Sequence, residues 1–307
     1  MTKPQITKLG LGTIAFATEA GKLILPPSHE EITGMLAYAA SQGISYLDTG
    51  NSFHETGEGL SVLSRCLDKL RHNERPQAAF QFLASTSLFK PADWIEPQLD
   101  ALETQLEKIL GTLKQETLAG LVVSAWDALT PAQIATVVHR LQHLKKTKRL
   151  EKIGFAVFTP EEALKLTDRY AIDAIQLPLN VLDQRFLQTG CLDQLKARHI
   201  HVIVRDVYLQ GVLMNPTQLH PWFWPIQSHL ANYERFLIEN TLTPLEGALA
   251  FLCSLNAVDT ILIAAGTLNP LKEAVIAGQM AIDSQAFGQF ALKESRFIDP
   301  RCWNLYH

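Results

Sequence analysis

The sequence predicts an α/β fold, a single-domain (β/α)8 barrel of the TIM type with a long loop after strand seven and a C-terminal extension. Three observations lead there. Eight short apolar or β-branched runs alternate with longer segments of helical period along the whole chain, and near-continuous apolar runs are how strands buried on both faces read. No Gly/Ser linker or shift of composition divides the 307 residues, and barrels of about 250 residues commonly form one domain. Eight consecutive strand–helix units favour closure, with an open doubly wound sheet as the alternative.

The expected strands are Leu9–Thr13, Ile44–Thr49, Phe80–Thr86, Leu121–Trp126, Ile153–Phe158, Ala174–Asn180, His201–Tyr208 and Thr260–Ala265. Between them, Glu31–Gln42, Gly59–Leu70, Trp94–Leu110 and Ala132–Lys145 have helical spacing. Helix starts are marked chemically. Ser28 precedes Glu31, Thr130 precedes Gln133 and Thr159 precedes Glu162, each by three residues. A hydroxyl at the cap and a Glu or Gln at the third helical position satisfy each other's backbone donors. Pro131 and Pro160 stand at first helical positions, where a missing N–H costs nothing. Such caps locate helices and carry no chemistry.

Two segments stand outside the repeat. Residues 214–239 read as a long aromatic loop containing His220-Pro221-Trp222-Phe223-Trp224-Pro225, and residues 286–307 read as a tail. Loops after barrel strands build the active face, so Trp222 and Trp224 are candidate lid and substrate residues. Equally, they cover a barrel end with aromatic surface.

Composition narrows the function. Hydrophobic residues make up 47% and charged residues 19%, the latter below the roughly 25% usual for globular domains. Such a chain buries a large core, which excludes global disorder. The 27 basic and 31 acidic residues give a net charge of −4 without like-charge runs. Nucleic acid is not the expected partner, because phosphate binding needs a clustered basic surface. The polar start and the lack of an apolar stretch of about 18 residues argue against export and membrane insertion. Cys66, Cys191, Cys253 and Cys302 lie far apart without a CxxC pair, so neither zinc nor a disulfide framework is expected. A cytoplasmic protein is expected.

Several stretches resemble the aldo/keto reductases, (β/α)8 enzymes that reduce carbonyls with NADPH or NADH. Leu9-Gly10-Leu11-Gly12-Thr13 is similar to the family's first strand, and Gly43-Ile44-Ser45-Tyr46-Leu47-Asp48-Thr49 to its second. Lys152-Ile153-Gly154-Phe155 with Phe158-Thr159-Pro160-Glu161 is similar to the fifth strand and next helix. Gln176 and Asn180 match the sixth strand. Asn180-Val181-Leu182-Asp183-Gln184-Arg185-Phe186, Leu209-Gln210-Gly211-Val212-Leu213 and Asp299-Pro300-Arg301 before Trp303 resemble a branch associated with bacterial surface-sugar biosynthesis.

The resemblance implies a catalytic tetrad of Asp, Tyr, Lys and His, in which the tyrosine gives a proton to the carbonyl oxygen. Asp48 matches the aspartate. Phe53 stands at the tyrosine position, five residues on, and Ala84-Ser85-Thr86-Ser87 holds no lysine. Ser124 stands at the histidine position. Of the nicotinamide contacts, the family's Ser-Asn pair is Ala156-Val157, while Gln176 remains. Asp206 falls where an aromatic ring stacks on the nicotinamide, with Tyr208 as the substitute in a shifted register. Thr267 and Lys272, at the start of the last barrel helix, are the expected phosphate contacts.

Two functions follow as expectations. One is a pseudoenzyme or repurposed barrel that binds a small molecule, a sugar or nucleotide sugar, with weakened NADP or NAD binding and no metal. The other is an NAD(P)-dependent oxidoreductase or sugar-modifying enzyme in which His54, with a pKa near 6.5 when unperturbed, replaces the lost acid and pairs with Asp48. Glu55, Glu58, Asn51, Arg205, Asp206 and Trp126 would share that mouth, with Arg205 holding an anionic or sugar ligand. The alternative is that His54 faces solvent and Asp48 caps a turn. His139, His143, His199 and His307 receive no role.

Overall fold

The structure, a computed structural model, describes residues 8–16, 26–50, 58–72, 80–86, 89, 94–216, 219–280 and 282–305. Its eight strands are β1 (Leu9–Gly12), β2 (Tyr46–Asp48), β3 (Gln81–Thr86), β4 (Leu118–Val123), β5 (Leu150–Ala156), β6 (Ala174–Pro178), β7 (His201–Arg205) and β8 (Thr260–Ala264). They pair in sequence order, all parallel, and β8 closes on β1 through Leu9↔Ile261 to Gly12↔Ala264. The fold is a (β/α)8 barrel.

Alternation along each strand sorts the residues into two cores. Leu83, Val122, Ala156, Ala174 and Ile203, with Tyr46 and Leu262, form a cluster of their own inside the barrel. The other face of the strands joins the helices in the main core. Gly120 belongs to the interior for a steric reason: a Cβ there would lie 2.8 Å from Leu83 Cδ2.

The helices outside are α1 (His29–Ser41), α2 (Glu58–His72), α3 (Glu96–Leu113), α4 (Pro131–Lys146), α5 (Pro160–Arg169), α6 (Arg185–Gln188), α7 (Cys191–Ala197), α8 (Gln227–Glu239), α9 (Pro244–Ser254), α10 (Leu268–Ala277) and α11 (Ser295–Ile298). All three expected capping boxes form, at Ser28, Thr130 and Thr159. A fourth, Thr243 with Glu246, starts α9. Helix α3 buries Leu99, Leu102, Leu106, Ile109 and Leu113, the three-and-four spacing of an amphipathic helix.

Residues 214–239 differ from the loop expected of them. After a 3-10 turn at Pro221–Ile226 they form α8, which buries Leu230, Tyr233 and Leu237. The prolines and aromatics at its start obscure that spacing in the sequence. The reason for the helix lies in α9, where Leu245 and residues 247–253 are all buried. A helix apolar all round needs cover on its outer side, and α8 with the C-terminal segment supplies it. Tyr233, Phe236, Phe287 and Phe290 interlock there at centroid distances near 5.2 Å.

Two strands are also displaced from expectation. β4 begins at Leu118 and ends at Val123, because Ala125 takes a left-handed φ of 53° and turns the chain into a 3-10 turn at Trp126. β5 begins at Leu150, its start disguised by Glu151 and Lys152. Lys152 faces inward at the lower end, with its amine 3.4 Å from the Tyr46 hydroxyl. Among the described residues no helix is long and apolar enough to cross a membrane.

Candidate functional site

Parallel barrels present the C-terminal ends of all eight strands on one face, and polar residues gather there. Asp48 ends β2. Its backbone carbonyl accepts from Thr13 N at 2.9 Å and Thr13 Oγ1 at 3.1 Å, and its carboxylate Oδ1 accepts from Gly50 N at 3.0 Å. Burial pushes the Asp48 carboxyl up to about 6, and the Gly50 amide only partly opposes this. Ser85 N donates to Gly50 O at 2.9 Å and Ser124 N to Thr86 O at 2.7 Å, so the strand ends are laced together above the interior cluster. Phe53 and His54 lie outside the described residues.

A cavity of about 430 Å³ opens beside these strand ends, lined by Ser124, Trp126, Phe158, Gln176, Arg205 and Arg301 among others. Its size suits a small-molecule site. Trp126 is a fixed wall. Its indole Nε1 donates to Ala156 O at 2.7 Å and its edge meets Phe155 at 6.3 Å. Gln176 projects from β6, is 7% exposed, and its amide makes no hydrogen bond to the described residues. Phe158 is held by the cap of α5, where Glu162 Oε2 accepts its backbone N–H at 2.6 Å.

Arg205 ends β7 and pairs with Asp206, also donating to Val157 O at 3.2 Å. Asp206 has a left-handed φ of 54°, and its backbone carbonyl accepts from Asn180 Nδ2 at 3.1 Å. Burial pulls the Arg205 guanidinium below its ordinary range, the Asp206 carboxylate opposes this, and the Arg301 charge adds to it. Asp206 turns its carboxylate to Arg205 and offers no ring to stack on a nicotinamide. Tyr208 packs on the main core and is not among the residues that line this cavity, and burial pushes its hydroxyl well above the ordinary range.

The remaining expected site residues stand elsewhere. Thr267 is exposed at the N-cap of α10 and makes no side-chain cap bond. Lys272 extends toward α1, its amine 6.0 Å from the Tyr38 ring. Trp222 Nε1 donates to Arg296 O at 3.0 Å, and Trp224 is 65% exposed. Neither tryptophan lines the cavity. Their segment packs on the C-terminal tail, with Phe223 edge-on to Trp303 at 5.1 Å.

Sequence reasoning passed over Arg301 and Phe158 as site residues. The signal for Arg301 is the Asp-x-Arg spacing, which lets an arginine fold back on its own aspartate. Arg301 Nη2 lies 2.7 Å from Asp299 Oδ2, and Arg185 Nη2 lies 2.8 Å from Asp183 Oδ2 in the same way. The tail is seated by Leu292 N on Leu182 O at 2.8 Å and Gln184 Nε2 on Phe287 O at 2.9 Å, which brings Arg301 to the cavity.

Closed parallel topology, the polar strand ends and the capped fifth helix agree with one comparison. The aldo/keto reductase family matches residues 8–293. The chain belongs to the aldo/keto reductase family. Its members generally bind NAD(P). No curated relative matches the chain. Among the described residues, no group of three or more His, Cys, Asp or Glu side chains could hold a metal ion.

Proposed function

We propose that this aldo/keto reductase barrel binds a small molecule at its mouth and does not perform the ordinary NAD(P)H-dependent carbonyl reduction of its family. The observation that carries the reading is the setting of Asp48, whose carboxylate accepts the Gly50 N–H and meets no lysine among the described residues. A carboxylate beside a lysine is drawn below its usual range, whereas Asp48 is pushed up to about 6. Ala84-Ser85-Thr86-Ser87, at the end of β3 where the lysine is expected, holds none, Ser124 stands for the histidine, and Phe53 for the tyrosine. General acid–base catalysis contributes roughly 10²–10⁴-fold, and phenylalanine has no proton to give.

The residues do not fit a tightly held nicotinamide either. Gln176 presents an amide, but Ala156 and Val157 bring no side-chain donors, and Arg205 with Asp206 replaces a stacking ring. We therefore assign weakened cofactor binding and derive no step through the cofactor. The ligand class we favour is a sugar or nucleotide-linked sugar in the cytoplasm, in keeping with the surface-sugar branch that the sequence resembles. The support is a cavity with aromatic walls, Trp126 and Phe158, between polar groups that suit hydroxyls, Ser124, Gln176 and Glu162.

A second reading has one observation in its favour. A carboxyl titrating at about 6 is poised for proton transfer near neutral pH, so Asp48, alone or with His54, would serve a sugar-modifying reaction. Calorimetric titration with NADPH and NADH separates the two. The proposal expects no saturable binding below roughly 1 mM. Binding at about 1 μM, with reduction of a sugar carbonyl that Asp48→Asn removes, would overturn it in favour of the second.

A further inference from the structure

Two guanidinium groups meet one phenyl ring in the cavity wall. Arg205 lies 4.2 Å and Arg301 3.5 Å from the centroid of Phe158. They arrive from distant parts of the chain, Arg205 from the end of β7 and Arg301 from the 3-10 turn Pro300–Cys302. Each has a carboxylate partner, Asp206 for Arg205 and Asp299 for Arg301, and neither carboxylate lines the cavity. The cations face the open space and their counterions stand behind them.

Arg301 is oriented by Asp299 through Nε at 3.0 Å and Nη2 at 2.7 Å. Its Nη1 has no partner among the described residues. Asp299 is itself fixed, since Oδ1 also accepts the Arg301 backbone N–H at 3.0 Å. Beside the pair, Gln176 offers a buried amide that makes no hydrogen bond to the described residues. Arg205 is mostly buried while Arg301 is exposed, and their like charges repel each other across the shared ring. A planar guanidinium stacked on a ring keeps its N–H edge for a carboxylate or phosphate. Asp127 and Glu162 also lie on the rim, where they suit hydroxyls and disfavour a ligand that is negative throughout.

We infer that the cavity recognises a sugar bearing a single anionic group, a carboxylate or a phosphate, which faces Arg301 and Arg205 while Gln176 meets a neighbouring polar group. The inference rests on the reading of the mouth as a small-molecule site. The test is calorimetric titration of the full chain with D-glucuronate, α-D-glucose 1-phosphate and D-glucose. At least one acidic sugar is expected to bind about tenfold or more tightly than glucose, with the preference weakening as salt rises. The favoured acid tells carboxylate from phosphate.

Arg301→Gln should bring the acidic sugar to the affinity of glucose, and Arg301→Lys should restore only part of the difference. Thermal melting checks that these variants fold; because Arg301→Gln frees Asp299, Arg205→Gln provides an independent arm. Equal binding of all three sugars, no binding of any, or an acid preference that survives both glutamine variants would overturn the inference. An intact acid preference together with tight NADPH binding and sugar reduction would overturn the proposed function instead and leave this inference standing.

Discussion

Replacing Asp48 by asparagine tests the state of the mouth without a ligand. Asparagine keeps an oxygen to accept the Gly50 N–H that Asp48 Oδ1 accepts at 3.0 Å, and it removes the charge. The carboxyl stands at about 6 in the fold against an ordinary 3.8. Below about pH 4 it is protonated in both folded and unfolded chains and costs nothing. Between pH 4 and 6 the unfolded chain ionises first, so stability falls as pH rises, and above pH 6 the whole penalty is present. Two units correspond to about 3 kcal/mol; partial exposure of Asp48 reduces this to about 1–2 kcal/mol through solvent screening. In urea unfolding at pH 5 and pH 8, Asp48→Asn should be the more stable protein at pH 8, and its advantage should shrink at pH 5. A carboxylate paired with a lysine reverses the sign, because its stabilisation is present at pH 8 and fades on acidification. A wild type that gains on the variant between pH 5 and pH 8, or a constant gap, would refute the reasoning.

Three further substitutions probe the packing of the outer helices and of the cavity wall. A Cβ on Gly247 would lie 2.3 Å from Leu237 Cδ2 and 2.8 Å from the Tyr233 hydroxyl, so Gly247→Ala should cost about 1–3 kcal/mol by overpacking despite better helix propensity; the Tyr233 hydroxyl is buried without a partner among the described residues, so Tyr233→Phe should be neutral or stabilising and should soften the Gly247→Ala penalty in chemical denaturation. Trp126→Phe removes the donor that Ala156 O accepts at 2.7 Å, and should cost about 1–3 kcal/mol by leaving a buried carbonyl unpaired; melting unchanged within error would show that the indole bond is dispensable.

Where the sequence predicted the fold well, it did so through signals that local physics enforces. The boxes at Ser28, Thr130 and Thr159 are such signals, since a hydroxyl and a Glu or Gln three residues apart satisfy the same backbone donors in any surroundings. Strand ends are set by partners instead. Nothing within Leu121–Trp126 reveals that Ala125 leaves the ladder, and nothing in Glu151-Lys152 shows that Lys152 is tolerated inside because Tyr46 lies above its amine. Helix α8 was hidden because its apolar face answers to α9, a helix whose own burial depends on α8.

The candidate site was legible where one strand end carries it and obscure where distant segments meet. Asp48, Ser124, Gln176 and Arg205 each follow from a strand and its period; Arg301 reaches the cavity only because the tail docks on the loop after β6. The two ends of the barrel also differ in a way that no single motif reveals. At the lower end the inward polar groups pair, Lys152 with Tyr46 at 3.4 Å and His201 Nε2 with Thr260 Oγ1 at 2.9 Å. At the mouth the Gln176 amide and the Ser124 hydroxyl make no side-chain bonds to described residues, and two guanidiniums share one ring. A buried amide that finds no partner among the described residues costs free energy, and a barrel needs none at this end to stay closed. The Gln176 amide beside an open cavity therefore supports the small-molecule reading proposed for the mouth.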